Sequence, residues 1–578
     1  MNEPSQNIEQ LIASGYFDRP DVADLVIRKE YLADINAIGI SEVYVGRKLQ
    51  NSYEIIYLPE RNIEAFVSNL AVNRLHLIPN LLGLLSKTEM DVSGITKVQQ
   101  QPYLDLRGRG VLLAFIDTGI DYTNNAFRYA GDGSTRIKYI WDQSIPGNPP
   151  KDFWFGSEYT EEQLNHALDT ETPFEVVPSR DNVGHGTFLA GVAGSSLPNE
   201  YIGAAPDAEF LIVKLRKGKP FQYREFMVLD SQDNAFSSSD LMLGIEYVLE
   251  KAKELKRPVS ICIGLGCNNG GHDGLSMLEE YLSEVEKQVG VSISIAVGNE
   301  ALARHHYNTT LTNDHQSEVI EITTDGIQSG GLSLQIWNGI SDRISVSITS
   351  PTGEMIGRIP ARSNTVFESG LVLERARIRV SYSFPLLRSG GQLTWIKITD
   401  PTPGIWRFTV YGDIIINGSI HAWLPLTGFI DPHIAFLSPS PNYTVTVPSA
   451  ALGIAAIGAY SAKTNSLNPD SSWGPSRLPA ITPDLTAPGT DVLGIFPNGA
   501  TGVMSGTSVA AAITAGACAQ MLQWGIVENN EPAMNGYLIR ALLIRGCDKD
   551  EGITYPNEQW GYGKLNLYNT FVQIRGTV

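Results

Sequence analysis

The sequence has little cysteine and too few basic residues to balance its acidic ones, and we expect no apolar run of transmembrane length. Its four cysteines lie mostly inside apolar stretches and lack zinc-site spacing, so we expect buried free thiols. A net charge of −19 argues against nucleic acid or an anionic membrane surface as the main partner. The first residues, Met-Asn-Glu-Pro-Ser-Gln, lack the basic start and apolar core of a signal peptide, which predicts synthesis and retention on the cytoplasmic side.

A chain of 578 residues is too long for one hydrophobic core and predicts several domains. Residues 1–99 combine strand patterns with short amphipathic helices, one of them over 21–34, and predict a small α+β domain. In residues 100–302 and 444–578 apolar strands alternate with helices, which predicts an α/β domain with a parallel sheet and helices on both faces. Residues 303–443 hold only short alternating strands between turn residues, which predicts an inserted β-sandwich or jelly roll.

Three segments of the α/β part place a reactive side chain beside glycine, just past an apolar stretch. Asp117 ends the apolar run 111–116, and His185 is flanked by two glycines. Ser508 opens a run of small apolar residues that favours a buried helix, whose first free N–H groups can stabilise an oxyanion. Each residue also has an ordinary structural interpretation: a turn-forming Asp117, a structural His185 and a helix-capping Ser508.

The order of the three residues along the chain favours a catalytic interpretation. A serine becomes a nucleophile when a base takes its proton and an acid holds that base in the right tautomer. The order Asp, His, Ser is the order of subtilisin. The segments around Asp117, His185 and Ser508 closely resemble the three signatures of subtilisin-like serine proteases: Phe-Ile-Asp-Thr-Gly-Ile-Asp, Gly-His-Gly-Thr-Phe-Leu-Ala-Gly and Ser-Gly-Thr-Ser-Val-Ala. The resemblance implies a serine endopeptidase with these residues as its catalytic triad.

The same resemblance assigns further residues. Asn299, in Ile-Ala-Val-Gly-Asn-Glu, matches the oxyanion-hole donor of the family, and Gly264, Leu265 and Gly266 match the strand that pairs with substrate. Phe188 stands where the family usually has a second histidine, which should leave the triad intact. The loop 195–201 does not reproduce the asparagine-rich calcium loop of secreted subtilisins, so we expect no metal, and no other cofactor is implied.

A closer resemblance is to the Csp-type germination proteases of spore-forming clostridia. Its points are Gly-Arg-Gly-Val before the Asp117 strand, Ile-Trp-Asp-Gln after it, Gly-Gly-His-Asp-Gly at 270–274, and the β-rich insertion between the Asn299 and Ser508 segments. The resemblance implies that residues 1–99 are a prodomain that assists folding, is cut off by the enzyme and stays docked. It also implies a protein substrate, the proenzyme of a cortex-lytic hydrolase, and retention in the spore.

The polar stretch 96–103 is expected to run extended between the first two domains, where it can reach the active site. We therefore expect the prodomain to be cut beside Gln99, Gln100 or Gln101. Two other functions stay open from the sequence. One is a catalytically silent relative that binds or senses a partner, since some Csp-type relatives have lost triad residues. The other is a ligand-binding insertion, but the insertion offers no aromatic platform or metal cluster, so we expect it only to stabilise the α/β domain.

Overall fold

The computed structural model describes residues 11, 16, 21–28, 40–48, 53–63, 65, 66, 88–197, 201–363, 365–386, 388–477 and 480–575. The chain divides into two compact units, Met1–Leu84 and Leu85–Val578. This division lies before the domain end predicted at residue 99. The limits predicted for the α/β domain and its insertion stay predictions.

The first unit contains an antiparallel sheet of three strands. These are β1 (Val22–Arg28), β2 (Tyr44–Lys48) and β3 (Tyr53–Pro59), in the order β1-β3-β2, followed by a 3-10 turn at Glu60–Asn62. Leu25 and Ile27 of β1 pack against Ile56 and Leu58 of β3 in a small core. The helix predicted over 21–34 is therefore wrong over 22–28, where Leu25 and Ile27 point to one face of a strand that pairs with β3. The rest of that prediction, residues 29–34, lies outside the described residues.

Before the insertion, the second unit alternates strands and helices. The strands are β4 (Leu112–Asp117), β5 (Ile137–Asp142), β6 (Ser157–Thr160), β7 (Ser196–Leu197), β8 (Tyr201–Ile202), β9 (Glu209–Lys214), β10 (Val259–Ile263) and β11 (Val291–Ala296). The helices are α1 (Thr88–Val92), α2 (Ile95–Gln100), α3 (Glu161–Leu168), α4 (Pro173–Val176), α5 (His185–Gly194), α6 (Pro220–Phe226), α7 (Ser238–Leu255) and α8 (Met277–Val285), with a 3-10 turn at Asn125–Phe127.

Between residues 306 and 436 the described chain forms strands only. They are β12 (His306–Thr310), β13 (Ser317–Thr323), β14 (Leu332–Asn338), β15 (Arg343–Thr349), β16 (Met355–Ile359), β17 (Thr365–Gly370), β18 (Arg377–Ser383), β19 (Gln392–Thr399), β20 (Ile405–Ile414), β21 (Ser419–Trp423) and β22 (Ala435–Phe436). They form two antiparallel sheets, β12-β21-β14-β19-β18-β17 and β16-β15-β20-β13-β22. Side chains from both sheets, such as Leu334 and Val346, share one hydrophobic core. This segment, called the insert below, is a β-sandwich.

The start of the insert and the turn after β21 are tied to one buried carboxylate. Glu300 accepts a hydrogen bond from Nδ1 of His305 at 2.8 Å, just before β12, and one from the backbone N–H of Thr427 at 3.1 Å, after β21. Asn268 donates to the same carboxylate at 2.9 Å. Glu300 directly follows Asn299, so the insert is fastened next to the predicted oxyanion donor.

After the insert the α/β pattern resumes. The strands are β23 (Ala455–Ser461), β24 (Ser466–Leu467), β25 (Leu485–Pro488), β26 (Val492–Ile495) and β27 (Thr501–Met504). The helices are α9 (Thr507–Leu522), α10 (Gly536–Gly546) and α11 (Leu567–Arg575), with a 3-10 turn at Pro497–Gly499 and a π-helical turn at Gln523–Val527.

The α/β elements build one nine-stranded sheet in the order β24-β23-β11-β10-β4-β9-β5-β6, with β25 also paired to β23. Only the edge strands β24 and β6 pair antiparallel. Leu113 and Phe115 of β4 pack with α5 and α9 on one face, and Ala114 and Ile116 pack with α7 and α8 on the other. Because both faces are covered, β4 is apolar throughout. The predicted parallel sheet with helices on both faces is confirmed.

One helix corrects the expectation that no run is long enough to cross a membrane. The helical stretch Thr507–Val527 is long and apolar enough to do so by length and composition, but it is buried along nearly its whole length inside the protein. Gly516 allows this burial, since a Cβ there would lie 2.3 Å from Cβ of Ala204. The apolar run therefore serves the core of the α/β part.

The stretch expected to run extended before β4 is helical up to Gln100. Ile95 and Val98 of α2 are completely buried, and Gln99 is 8% exposed. The amide of Gln99 donates to the carbonyl oxygens of Gly203 and Ala204 at 3.0 and 2.8 Å. A polar side chain is buried here because its amide is hydrogen-bonded.

Candidate active site

The three residues predicted as a triad come from strand β4 and from helices α5 and α9, which cover one face of the sheet. Asp117 is the last residue of the central strand β4, and His185 is the first residue of α5. Ser508 is the second residue of α9, where the first backbone N–H groups of the helix have no helical acceptor. The carboxyl ends of parallel strands and the starts of the following helices meet at one edge of such a sheet.

The three side chains form a continuous hydrogen-bonded chain. Nδ1 of His185 lies 2.8 Å from Oδ1 of Asp117, and Nε2 of His185 lies 3.1 Å from Oγ of Ser508. Asp117 is 2% and Ser508 7% exposed, whereas the side chain of His185 is 25% exposed. The imidazole can therefore exchange a proton with Ser508 on one side while a buried carboxylate holds its other nitrogen.

The amide of Asn299 and the hydroxyl of Ser508 face the same space. Oδ1 of Asn299 accepts a hydrogen bond from the N–H of Thr507 at 3.0 Å, which fixes the amide and leaves Nδ2 to donate. A Cβ on Gly506 would lie 3.4 Å from Nδ2 of Asn299 and 3.6 Å from Oγ of Ser508. Gly506 also has φ of +151°, which favours glycine. Glycine thus keeps open the space in which an oxyanion can accept from Asn299.

The predicted substrate strand lies beside the triad. A Cβ on Gly264 would lie 3.1 Å from both Cε1 of His185 and Cβ of Ser508. Gly264, Leu265 and Gly266 together line one wall of a cavity of about 210 Å³. An extended peptide placed along these residues would pass the nucleophile.

A model of the subtilase family matches residues 108–350 and 433–563. The chain belongs to the subtilase family. The structure of the CspB protease of Clostridium perfringens is 31% identical to it, with a TM-score of 0.74 over 84% of this chain and 99% of that chain. A mutant of the protease domain of PatA is 14% identical over 82% of this chain and 98% of that one, with a TM-score of 0.40. A comparison with curated proteins found no match. The protein is a CspB-like, subtilisin-like serine protease.

A second buried carboxylate of this subtilase organises the turn before α5. One oxygen of Asp181 accepts from the hydroxyl of Thr118 and the N–H of Gly184, and the other accepts from the N–H and hydroxyl of Thr187. Thr118 in turn accepts from the N–H of Gly186 at 3.0 Å. Sequence reasoning does not select Asp181, although its place four residues before His185 at a glycine turn is a usable signal.

Two carboxylates set the electrostatics of His185. Burial disfavours the charged imidazolium, but the charge and hydrogen bond of Asp117, with the charge of Asp181, outweigh it and raise the pKa of His185 above its usual 6.5. Asp117 Oδ1 also accepts from the N–H of Thr118 at 2.7 Å. The site of the subtilase therefore favours the positively charged histidine that a base becomes after taking a proton.

The predicted cleavage segment of the subtilase is not at the triad. Gln99 is bound to Gly203 and Ala204, and Ala204 packs against Gly516, about 12 Å along α9 from Ser508 by helix geometry. The roles predicted for Gln99, Gln100 and Gln101 stay predictions.

Among the described residues, no group of three or more histidine, cysteine or acidic side chains is arranged to hold a metal ion. The expectation of a subtilase without metal or cofactor stays a prediction.

Proposed function

We propose that this subtilase is an active serine endopeptidase with Ser508 as nucleophile, His185 as general base and then acid, and Asp117 as the group that orients His185. The observation that carries the proposal is the pair of contacts at 2.8 and 3.1 Å that joins Asp117, His185 and Ser508. A capping role for Ser508 alone would require neither contact.

In the proposed mechanism, Nε2 of His185 takes the proton of Ser508 as its Oγ attacks the substrate carbonyl carbon. Asp117 holds the proton on Nδ1, so the imidazole presents a free lone pair to Ser508 and becomes a stabilised imidazolium. The oxyanion of the tetrahedral intermediate accepts hydrogen bonds from Nδ2 of Asn299 and from N–H groups in the first turn of α9. His185 then gives its proton to the leaving amine, and a water molecule releases the acyl group by the same route.

We propose further that the enzyme removes its own N-terminal unit and activates the proenzyme of a cortex-lytic hydrolase in the spore during germination. The motifs resembling Csp-type proteases and the similarity to the CspB protease support this proposal. The partners are therefore a protein substrate and the cleaved prodomain. The alternative is a catalytically silent subtilase that binds a partner without cleaving it.

A serine-directed fluorophosphonate separates the two functions. We expect it to label the wild type and not Ser508→Ala, because only an activated hydroxyl reacts. His185→Ala should lower kcat by several orders of magnitude, and Asp117→Asn should also be severe since it favours the wrong tautomer. Absence of label on both proteins, each shown to be folded by thermal melting, would support the silent alternative.

A further inference from the structure

The cavity beside the predicted substrate strand is built partly by the insert. It has a volume of about 210 Å³ and is lined mainly by apolar side chains. Leu265 comes from the substrate strand and Phe236 from the segment before α7, whereas Leu426 and Phe429 come from the insert, after β21. The α/β part and the insert therefore share one concave apolar surface.

Leu426 and Phe429 are held in place by hydrogen bonds to the α/β part. The carbonyl oxygen of Phe429 accepts from the N–H of Leu229 at 3.0 Å, and Thr427 donates to Glu300 at 3.1 Å. Within the turn, the N–H of Phe429 donates to the carbonyl of Leu426 at 2.9 Å. This turn, residues 426–429, is thus a fixed wall of the cavity.

The cavity is continuous with the site of the chemistry. Gly264 forms part of its wall, and a Cβ on Gly264 would lie 3.1 Å from both His185 and Ser508. Leu265, Leu426 and Phe429 each remain partly exposed, so apolar surface faces the cavity. At about 30 Å³ per water molecule, the space equals roughly seven waters, enough for one large side chain.

We propose that the 426–429 turn is a specificity-determining element and that the cavity receives a large apolar side chain of the protein substrate, next to the bond that is cut. This inference rests on the proposed endopeptidase function. It replaces the expectation that the insert only stabilises the α/β part. Burial of a leucine or phenylalanine side chain supplies enough free energy for a preference of about 10- to 100-fold over alanine.

The test uses the full-length enzyme and fluorogenic peptides in which one position near the cut is alanine, leucine, phenylalanine or aspartate. Rates are normalised to active sites titrated with the fluorophosphonate. We expect the wild type to prefer leucine or phenylalanine over alanine at one position by about 10- to 100-fold in kcat/KM. The double variant Leu426→Ala, Phe429→Ala should lose most of that ratio.

Two further variants make the result specific. Leu426→Trp should fill the cavity and shift the preference towards alanine, which a merely destabilised insert would not do. Leu373→Ala removes an apolar side chain of the insert that is 77% exposed, and it should keep the wild-type ratio.

An active wild type without apolar preference, or a double variant that keeps the preference, would overturn the inference and leave the endopeptidase proposal standing. A wild type that neither reacts with the fluorophosphonate nor cleaves any peptide would overturn both.

Discussion

At the scale of single residues, the charge of Asp181 acts on the base without touching it. Both carboxylate oxygens of Asp181 act only as acceptors, and two of their donors are the backbone N–H groups of Val183 and Gly184, in the turn before His185. An asparagine there would turn one of these contacts into a donor facing a donor. Asp181 is therefore a positioning residue whose negative charge also stabilises the protonated His185.

We expect Asp181→Asn to move the acid limb of the pH profile of kcat/KM to lower pH. His185 must be neutral to act as a base, so activity falls as pH drops through its raised pKa. Without the charge of Asp181 the pKa of His185 falls, and the acid limb of the profile therefore moves to lower pH. The variant should also be less active on its plateau because the turn before α5 loses hydrogen bonds.

The control for this change is Asp207→Asn. It removes one negative charge that is paired with Arg107 and is partly exposed to solvent, which screens it. The acid limb should stay at its wild-type pH in this control. An unshifted limb in Asp181→Asn would show that Asp181 only shapes the turn.

At the scale of elements, α1 and α2 belong to the body of the protease. The N–H of Leu567, at the start of α11, donates to the carbonyl of Ser93 at 2.8 Å, and Ile95 and Val98 lie in the same core as Phe571. A cut beside Gln99 would detach Ile95 and Val98 from the polypeptide that forms the rest of this core.

We therefore expect autoprocessing to occur N-terminal to Thr88 and the large fragment to retain α1 and α2. Intact-mass and N-terminal analysis of the purified protein measures the bond directly, and Ser508→Ala, which should stay uncut, is the control. A large fragment that begins at residue 100, 101 or 102 would restore the first prediction and require α2 to leave the core.

What the sequence could predict follows from how local each signal is. The strand β4 and helix α9 were predictable because burial on all sides demands uninterrupted apolar runs. Asp117, His185 and Ser508 could be selected together because the motifs around them are short and local. The helix α2 was missed because Gln99 and Gln100 look solvated, whereas the amide of Gln99 is buried against carbonyl oxygens that lie 104 and 105 positions further along the chain. The position of Leu426 in the same cavity as Leu265 depends on the tertiary fold alone, and no local sequence pattern predicts it.

At the scale of the whole molecule, buried histidines join the insert to the α/β part. Nδ1 of His421 lies 3.2 Å from Nε2 of His306, and Nδ1 of His306 lies 3.4 Å from the carbonyl oxygen of Ser440. The ring of His272, from the α/β part, stacks on Trp423 of the insert at 4.1 Å. With neutral rings, His306 donates to Ser440 and accepts from His421, and a proton added to Nε2 of His306 would set two N–H groups against each other.

Burial, with the charge of Arg477, lowers the pKa of His421 to about 3, and burial lowers the pKa of His306 as well. Below about pH 6.5, His421 and His306 bind protons in the unfolded chain but not in the folded one. The stability that the two neutral histidines contribute is therefore fully present above about pH 6.5 and is lost as the pH falls. We expect the unfolding temperature to fall on acidification, with each histidine contributing up to about 1.4 kcal/mol per pH unit.

The measurement is thermal unfolding between pH 8 and 5.5 of the wild type and His421→Asn. The asparagine keeps a donor towards His306 but takes no proton, so the variant should start less stable and lose less on acidification. His433→Asn changes a histidine of the insert whose side chain is 44% exposed, and its slope should match the wild type. Equal slopes for all three proteins would mean that other groups set the acid sensitivity.

The attachment of the insert at Glu300 bears on how such an enzyme diversifies. Because Glu300 holds the chain both just before β12 and after β21, we expect mutations in the exposed outer turns, such as 351–353 and 371–375, to leave Asn299 in place. Selection can then alter those turns without lowering turnover, while Glu300 and the three groups that donate to its carboxylate stay constrained. The exposed turns of the insert can therefore change in sequence, whereas the residues around Glu300 and Asn299 are constrained.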